Sequence, residues 1–166
     1  MSAACAECGL DYEHLTIDDA ADIIGASGPR FRAVFAVAQG DRERVRAKTD
    51  PDVWSSLEYV VHVRDSVRYH GALTNRALKE DRPEFAVPDP DAIAQNQGYN
   101  DADLDEVLDS LEQQTTRLAA RVRLLDENDL DRVVVRAGNE ISLRSMIRNA
   151  AHECHHHLGD VQRQLA

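Results

Sequence analysis

Leu104, Leu108, Leu111, Leu118, Val122 and Leu125 fall at helical spacing along one stretch of this chain, and Leu143, Ile147, Ala151, Cys154, Leu158, Val161 and Leu165 do so along another. Apolar side chains three or four positions apart line one face of an α-helix, and that face must be buried against a neighbour. No run alternates apolar with polar residues as a half-buried strand would. With 5% aromatic residues and 8 glycines, the pattern predicts an all-α fold. The leucine stripe covers only about three heptads, so it reads as core and not as a coiled-coil zipper.

Local signals divide the chain into four helices. Thr16, followed by Asp18 and Asp19, suits an N-cap, and Pro29 suits a first-turn position, so the first helix is expected in two short pieces ending near Gln39. Asp50 and Pro51 predict a cap and first turn for a second helix over residues 51–80, with Gly71 as its one breaker. Three of the 5 prolines lie between residues 79 and 101, which marks a long crossover with a short turn at "PDAIAQ". The third helix is expected from Asp101, "DRVVVRAGNE" as an extended loop, and Ser142 as the cap of a fourth helix, "LRSMIRNAAHECHHHLGDVQRQL". Four helices with one long connection between the second and third predict a four-helix bundle that is not simply up-down-up-down. At 166 residues a single domain over residues 1–166 is expected, with residues 1–15 packed on the bundle. There are no internal repeats and no low-complexity tail.

Charge narrows the function. Thirty acidic against 19 basic residues give a net charge of -11, which on average repels nucleic acid and anionic membrane surfaces. No N-terminal stretch resembles a signal peptide, and no run approaches the roughly 20 apolar residues that cross a bilayer. A cytoplasmic protein acting on small molecules is the expectation. The 3 cysteines, two of them in Cys5-x-x-Cys8, suit metal or redox use better than a disulfide framework.

Within the fourth helix, H-E-C-H-H formally matches the zinc-protease pattern H-E-x-x-H. Both standard completions fail: the third histidine of the extended pattern would fall at Gln162, and no later helix follows to supply a glutamate. At about 100° per residue, His152 and His156 lie opposite the apolar stripe, whereas Glu153 and His157 flank it and can reach into the bundle. Asp160, three residues on, can orient the His157 imidazole. On the second helix Trp54, Glu58, Val61, His62, Asp65 and Tyr69 share one face. His62, Glu153 and His157 therefore make a two-histidine, one-carboxylate set for a divalent metal with open positions for water or substrate. Glu58 and Asp65, one turn either side of His62, are candidate general bases for hydrolysis.

"WSSLEYVVHVRD" together with "HECHHHLGDV" resembles the DinB-like superfamily of metal-binding four-helix bundles, and "CAECGLDY" resembles an actinobacterial branch of it. The likeness spans essentially the whole chain. Most of the superfamily holds its metal with one histidine on helix 2 and two, four apart, on helix 4. In the mycothiol-dependent maleylpyruvate isomerase branch the helix 4 pair is E-x-x-x-H followed by x-x-D, the arrangement of Glu153, His157 and Asp160, with His62 at the helix 2 position. That isomerase carries an added C-terminal domain without a counterpart in these residues, so its substrate does not transfer. The resemblance implies a transferase or isomerase using a divalent metal, zinc foremost and nickel or another ion besides, together with mycothiol or a similar low-molecular-weight thiol. Bundles of this kind are often dimers, so a homodimer is expected. Arg64 and Arg68, with Tyr69 and His70, are candidates for cofactor or substrate contacts. The competing expectations are a catalytically silent, metal-stabilised binding module and a metal-dependent hydrolase.

Cys5-x-x-Cys8-Gly9 also has the opening of a zinc knuckle, where glycine permits the tight turn around sulfur. If the N-terminal segment folds back over the fourth helix, His152 and His156 complete a Cys2His2 site, with His155 able to replace either. A redox C-x-x-C would be expected in a thioredoxin-like βαβ context, which the sequence does not offer. Cys154 sits in the apolar stripe as core, and Trp54 suits a pocket mouth or a helix contact equally.

Overall fold

The computed structural model describes residues 4–38 and 41–166. The first three positions of the N-terminal segment and the expected end of the first helix at Gln39 lie outside them. Four long helices carry the fold: α1 (Ile17–Ala36), α3 (Ser56–Ala77), α5 (Leu104–Val122) and α7 (Leu143–Gln164), with short helices α2 (Arg42–Arg46), α4 (Pro90–Gln97) and α6 (Glu127–Leu130) in the connections. Both α1 and α3 pack on α5 and on α7. Consecutive long helices α1 and α3 thus sit across a diagonal, and the bundle is not up-down-up-down. Its core joins Ile24, Phe31 and Phe35 of α1 with Leu57, Val60 and Val63 of α3, Leu111 of α5 and Ile147 and Leu158 of α7.

Helix starts follow side chains that satisfy free backbone N–H groups. Thr16 Oγ1 accepts from Asp19 N, Asp103 from Asp105 and Glu106 N, and Ser142 from Ser145 N. The second long helix begins later than its sequence suggests. Asp50 and Pro51 belong to a turn closed by Val53 N to Asp50 O at 3.0 Å, and the start is taken by Ser55 and Glu58, which form a reciprocal capping box.

The first helix is also one piece, running through Pro29. Proline removes one backbone hydrogen bond and crowds the preceding turn, but burying Ile24, Phe31 and Phe35 on either side of it outweighs that loss. Here α1 presses closely on α5: a Cβ on Gly28 would lie 2.6 Å from Glu112 Cα, and one on Gly25 would lie 3.2 Å from Ala119 Cβ.

The stretch expected as an extended loop is a β-hairpin, β2 (Val133–Arg136) and β3 (Asn139–Ser142). Ala137 and Gly138 both adopt positive φ, 49° and 78°, as the tight two-residue hairpin turn demands. A short β1 (Glu84–Phe85) from the crossover pairs in parallel with β2, giving the order β1-β2-β3. This small sheet fastens the crossover beside α3, and Arg136 leaves it toward the bundle. Among the described residues no helix is long and apolar enough to cross a membrane.

Candidate metal centre

Helices α3 and α7 pack directly, and their contact brings His62 to Glu153 and His157. His62 Nε2 lies 3.0 Å from Glu153 Oε2, and His157 Nε2 lies 3.5 Å from the same oxygen. One donor atom from each residue falls within 4.8 Å of the others. The His62 and His157 rings meet edge to face at 4.9 Å. All three residues are half-buried, so a cation placed among them would be partly screened from water yet open on one side.

Asp160 sets the orientation of His157. Its Oδ2 accepts from His157 Nδ1 at 2.7 Å, which keeps a proton on Nδ1 and turns Nε2 toward Glu153. The other Asp160 oxygen is bonded by Arg163. Burial works against a charged His157, but hydrogen bonds to Asp160 and Glu153 more than reverse this and lift its pKa to about 9. Burial likewise opposes the Glu153 carboxylate, and the hydrogen bonds from His157 and His62 hold it well below the ordinary range. Two imidazoles and an ionised carboxylate converging on one point form a donor set that fits a divalent transition metal.

Aromatic rings wall the mouth. Trp54 approaches His62 at 5.0 Å and Tyr59 approaches His157 at 5.3 Å, while Trp54 Nε1 donates to Asp91 Oδ1 on α4 at 2.9 Å. Trp54 thereby both lines the pocket and ties it to the crossover.

Behind this mouth a cavity of ≈ 580 Å³ reaches from His62 and Glu153 to Arg136 and Tyr99. It brings together Arg64, Arg68, Tyr69 and His70, all named from sequence, with Arg136 and Asn149, which were not. His70 is buried and held neutral, since burial lowers its pKa; its Nδ1 donates to Ser66 O at 2.8 Å and its Nε2 lies 3.2 Å from Asn149 Oδ1. Arg136 faces Tyr69 at 5.6 Å, and its buried Nε has no hydrogen-bond partner among the described residues. The sequence cue for the hairpin that carries Arg136 is limited to Gly138 after a valine run.

Glu58 and Asp65, the candidate bases, are both engaged by neighbours. Glu58 is buried in its capping box, accepting from Ser55 N at 2.8 Å, and Lys48 Nζ stands 3.1 Å from the same carboxylate oxygen. Asp65 accepts from the Tyr99 hydroxyl at 2.8 Å and from Arg64 Nε at 2.9 Å. Ser55 and Arg64 engage them from the cap and body of α3 itself, and Lys48 and Tyr99 reach them from outside it.

A second cluster lies on the other flank of α7. Cys5, Cys8, His152 and His156 each bring a donor atom within 4.8 Å of the rest, because the N-terminal segment folds over α7 and leaves both histidines half-buried. His155 stays apart from the four and bonds the Cys8 backbone instead. Cys154 is core as expected, its thiol pushed up to about 12 by burial.

Comparison with the curated proteins gives no match. Among solved structures, the chain is similar to YfiT from Bacillus subtilis, described as a probable metal-dependent hydrolase with an unusual four-helix bundle topology, at TM-score 0.83 and 17% identity over 92% of this chain and 89% of that one. The model of the DinB superfamily matches residues 26–161, a span that holds α3, most of α7 and every member of the inner triad. On that match, and with the diagonal bundle that carries it, the chain belongs to the DinB superfamily.

Proposed function

We propose that the chain is a metal-dependent enzyme that joins a low-molecular-weight thiol of the mycothiol type to a small anionic electrophile, at a centre held by His62, Glu153 and His157. A divalent ion there, zinc by its donor set and nickel as the nearest alternative, lowers the pKa of a coordinated thiol and so supplies a thiolate at neutral pH. The chain's own residues do the rest. Asp160 fixes the His157 tautomer, Trp54 and Tyr59 restrict water at the mouth, and Arg64, Arg68 and Arg136 give the cavity a positive wall suited to a carboxylate. In the transfer the sulfur forms a bond to an electrophilic carbon, the displaced group departs with its electron pair, and the thiol proton passes to solvent. In an isomerisation the same carbon–sulfur bond later breaks and the thiol is returned.

The observation that carries this reading is the engagement of Glu58 and Asp65 elsewhere. A metal-bound water, with a pKa of about 7, is only partly ionised at neutral pH without a base in reach, whereas a metal-bound thiol is ionised outright and calls for none. The likeness to YfiT favours a second reading, metal-dependent hydrolysis. Cobalt-substituted protein separates them: millimolar thiol should perturb its visible spectrum, and Glu153→Ala should abolish that response. An unchanged spectrum at millimolar thiol overturns the thiol reading, and ester or amide cleavage that persists without thiol establishes the hydrolytic one.

A further inference from the structure

We propose that Cys5, Cys8, His152 and His156 form a second metal site, a closed Cys2His2 zinc centre that clamps the N-terminal segment onto α7, separate from the centre at His62. Four observations converge on it. The donor atoms of two thiols and two imidazoles fall within 4.8 Å of one another, the ligand number and type of a structural zinc site. Cys5 Sγ lies 3.5 Å from His156 Nδ1, so a sulfur and a nitrogen from opposite ends of the chain already face each other.

The backbone around the cysteines has the matching turn. Gly9 N donates to Cys5 O at 2.8 Å and Cys5 N to Leu10 O at 3.0 Å, while Gly9 takes φ 73°, a conformation only glycine enters freely. This turn holds the two sulfurs on one side of the segment. Finally, His152 Nε2 is buried without a hydrogen-bond partner among the described residues. Such a nitrogen is costly to leave unsatisfied, and a bond to a metal ion would remove that cost.

The surroundings hold the segment where the site requires it. Tyr12 stacks on the His152 ring at 4.4 Å, and Arg148 Nε donates to Leu15 O at 2.8 Å. His156 Nε2, remote from the sulfurs, lies 3.2 Å from Glu7 and 3.6 Å from Asp160 Oδ2, carboxylates that suit the outer nitrogen of a ligating imidazole. Four protein donors leave no open position, so this centre holds structure and does no chemistry. It stabilises the docked segment because the energy of binding such an ion is energy of folding.

Zinc content tests the proposal without reference to activity. The wild type should bind two zinc ions per chain, Cys5→Ser/Cys8→Ser one, and Glu153→Ala one. In the wild type, titration of thiols with an organomercurial should release one zinc while the other stays, because the inner centre contains no sulfur. Cobalt-substituted wild type should show a near-ultraviolet thiolate-to-cobalt absorption that Glu153→Ala retains. No mercurial-released zinc and no thiolate absorption in the wild type overturn the proposal even if the double cysteine variant does not fold. Loss of zinc in Glu153→Ala bears on the inner centre alone, so the two sites fail separately.

Discussion

Asp160 Oδ2 stands 2.7 Å from His157 Nδ1, on the side of the imidazole turned away from Glu153. A carboxylate in that position fixes ring and tautomer without touching a ligand bound at Nε2. Asp160→Asn keeps a hydrogen-bond acceptor but loses the charge. We expect it to weaken metal affinity at the inner centre by about 10- to 100-fold, measured by competition with a chromophoric chelator. Affinity equal to wild type would mean that Asp160 serves only the helix surface.

Proton linkage offers a second measurement. His157 is lifted from 6.5 to about 9, so its contribution to the stability of the metal-free protein is present in full below 6.5 and is lost as pH rises through about 9. Glu153 is held below its ordinary 4.5, so its contribution is present above that value and is lost as pH falls toward its folded pKa. Both act together between about 4.5 and 6.5. The melting-temperature gap between metal-free wild type and metal-free His157→Gln should therefore narrow as pH is raised from about 6.5 to 9. Metal binding, which needs neutral His157, should release a proton at neutral pH, seen as a calorimetric enthalpy that varies with the buffer. A gap constant with pH would contradict the linkage.

What the sequence makes legible here is periodic. The four long helices, the order of His62 and Glu153-x-x-x-His157, and the Cys5-x-x-Cys8 turn all follow from spacing within one element. Contacts between elements are what spacing cannot convey. Glu58 reads as a free carboxylate beside His62, yet Lys48 reaches it from the segment before the helix. Pro29 reads as a break, yet packing on α5 carries the helix through. Arg136 hides in a stretch whose hairpin is fixed by two positive-φ residues, one of them an alanine. Alanine gives little warning of such a turn, and the short strands have too few residues for an alternation to register.

The helix contact at Gly28 supports a paired stability test. A Cβ there would meet Glu112 Cα at 2.6 Å, a backbone atom that cannot swing aside, so Gly28→Ala must part α1 from α5. Overpacking of this kind costs about 1–3 kcal/mol. Gly71, inside α3, has nothing within 4 Å of its notional Cβ, so Gly71→Ala should stabilise by roughly 0.5–1 kcal/mol through the smaller entropy lost on folding. Opposite shifts in the urea midpoint are expected. A loss in both variants would show that the α3 surface at Gly71 is occupied by another molecule, as a dimer contact would require.

Arg136 provides the sharpest test of the cavity's charge preference. Its guanidinium lies over Tyr69 and its buried Nε has no partner among the described residues, while Arg64 is already paired with Asp65 at 2.9 Å. Arg136 and Arg68 are thus the cations of the wall without an ion pair among the described residues, and a planar carboxylate is the group that matches a guanidinium. A hydrogen bond to a charged group is worth about 1.5–3 kcal/mol, so Arg136→Gln should weaken a small aromatic carboxylate such as benzoate by roughly 10- to 150-fold. Arg136→Lys should restore only part of that, because an ammonium lacks the two-pronged geometry. Calorimetric titration on zinc-loaded protein reads both, with the melting temperature of each variant expected to stay close to wild type. Equal affinity in wild type and Arg136→Gln would assign the positive wall a structural role and move substrate recognition to Arg68 at the cavity's outer edge.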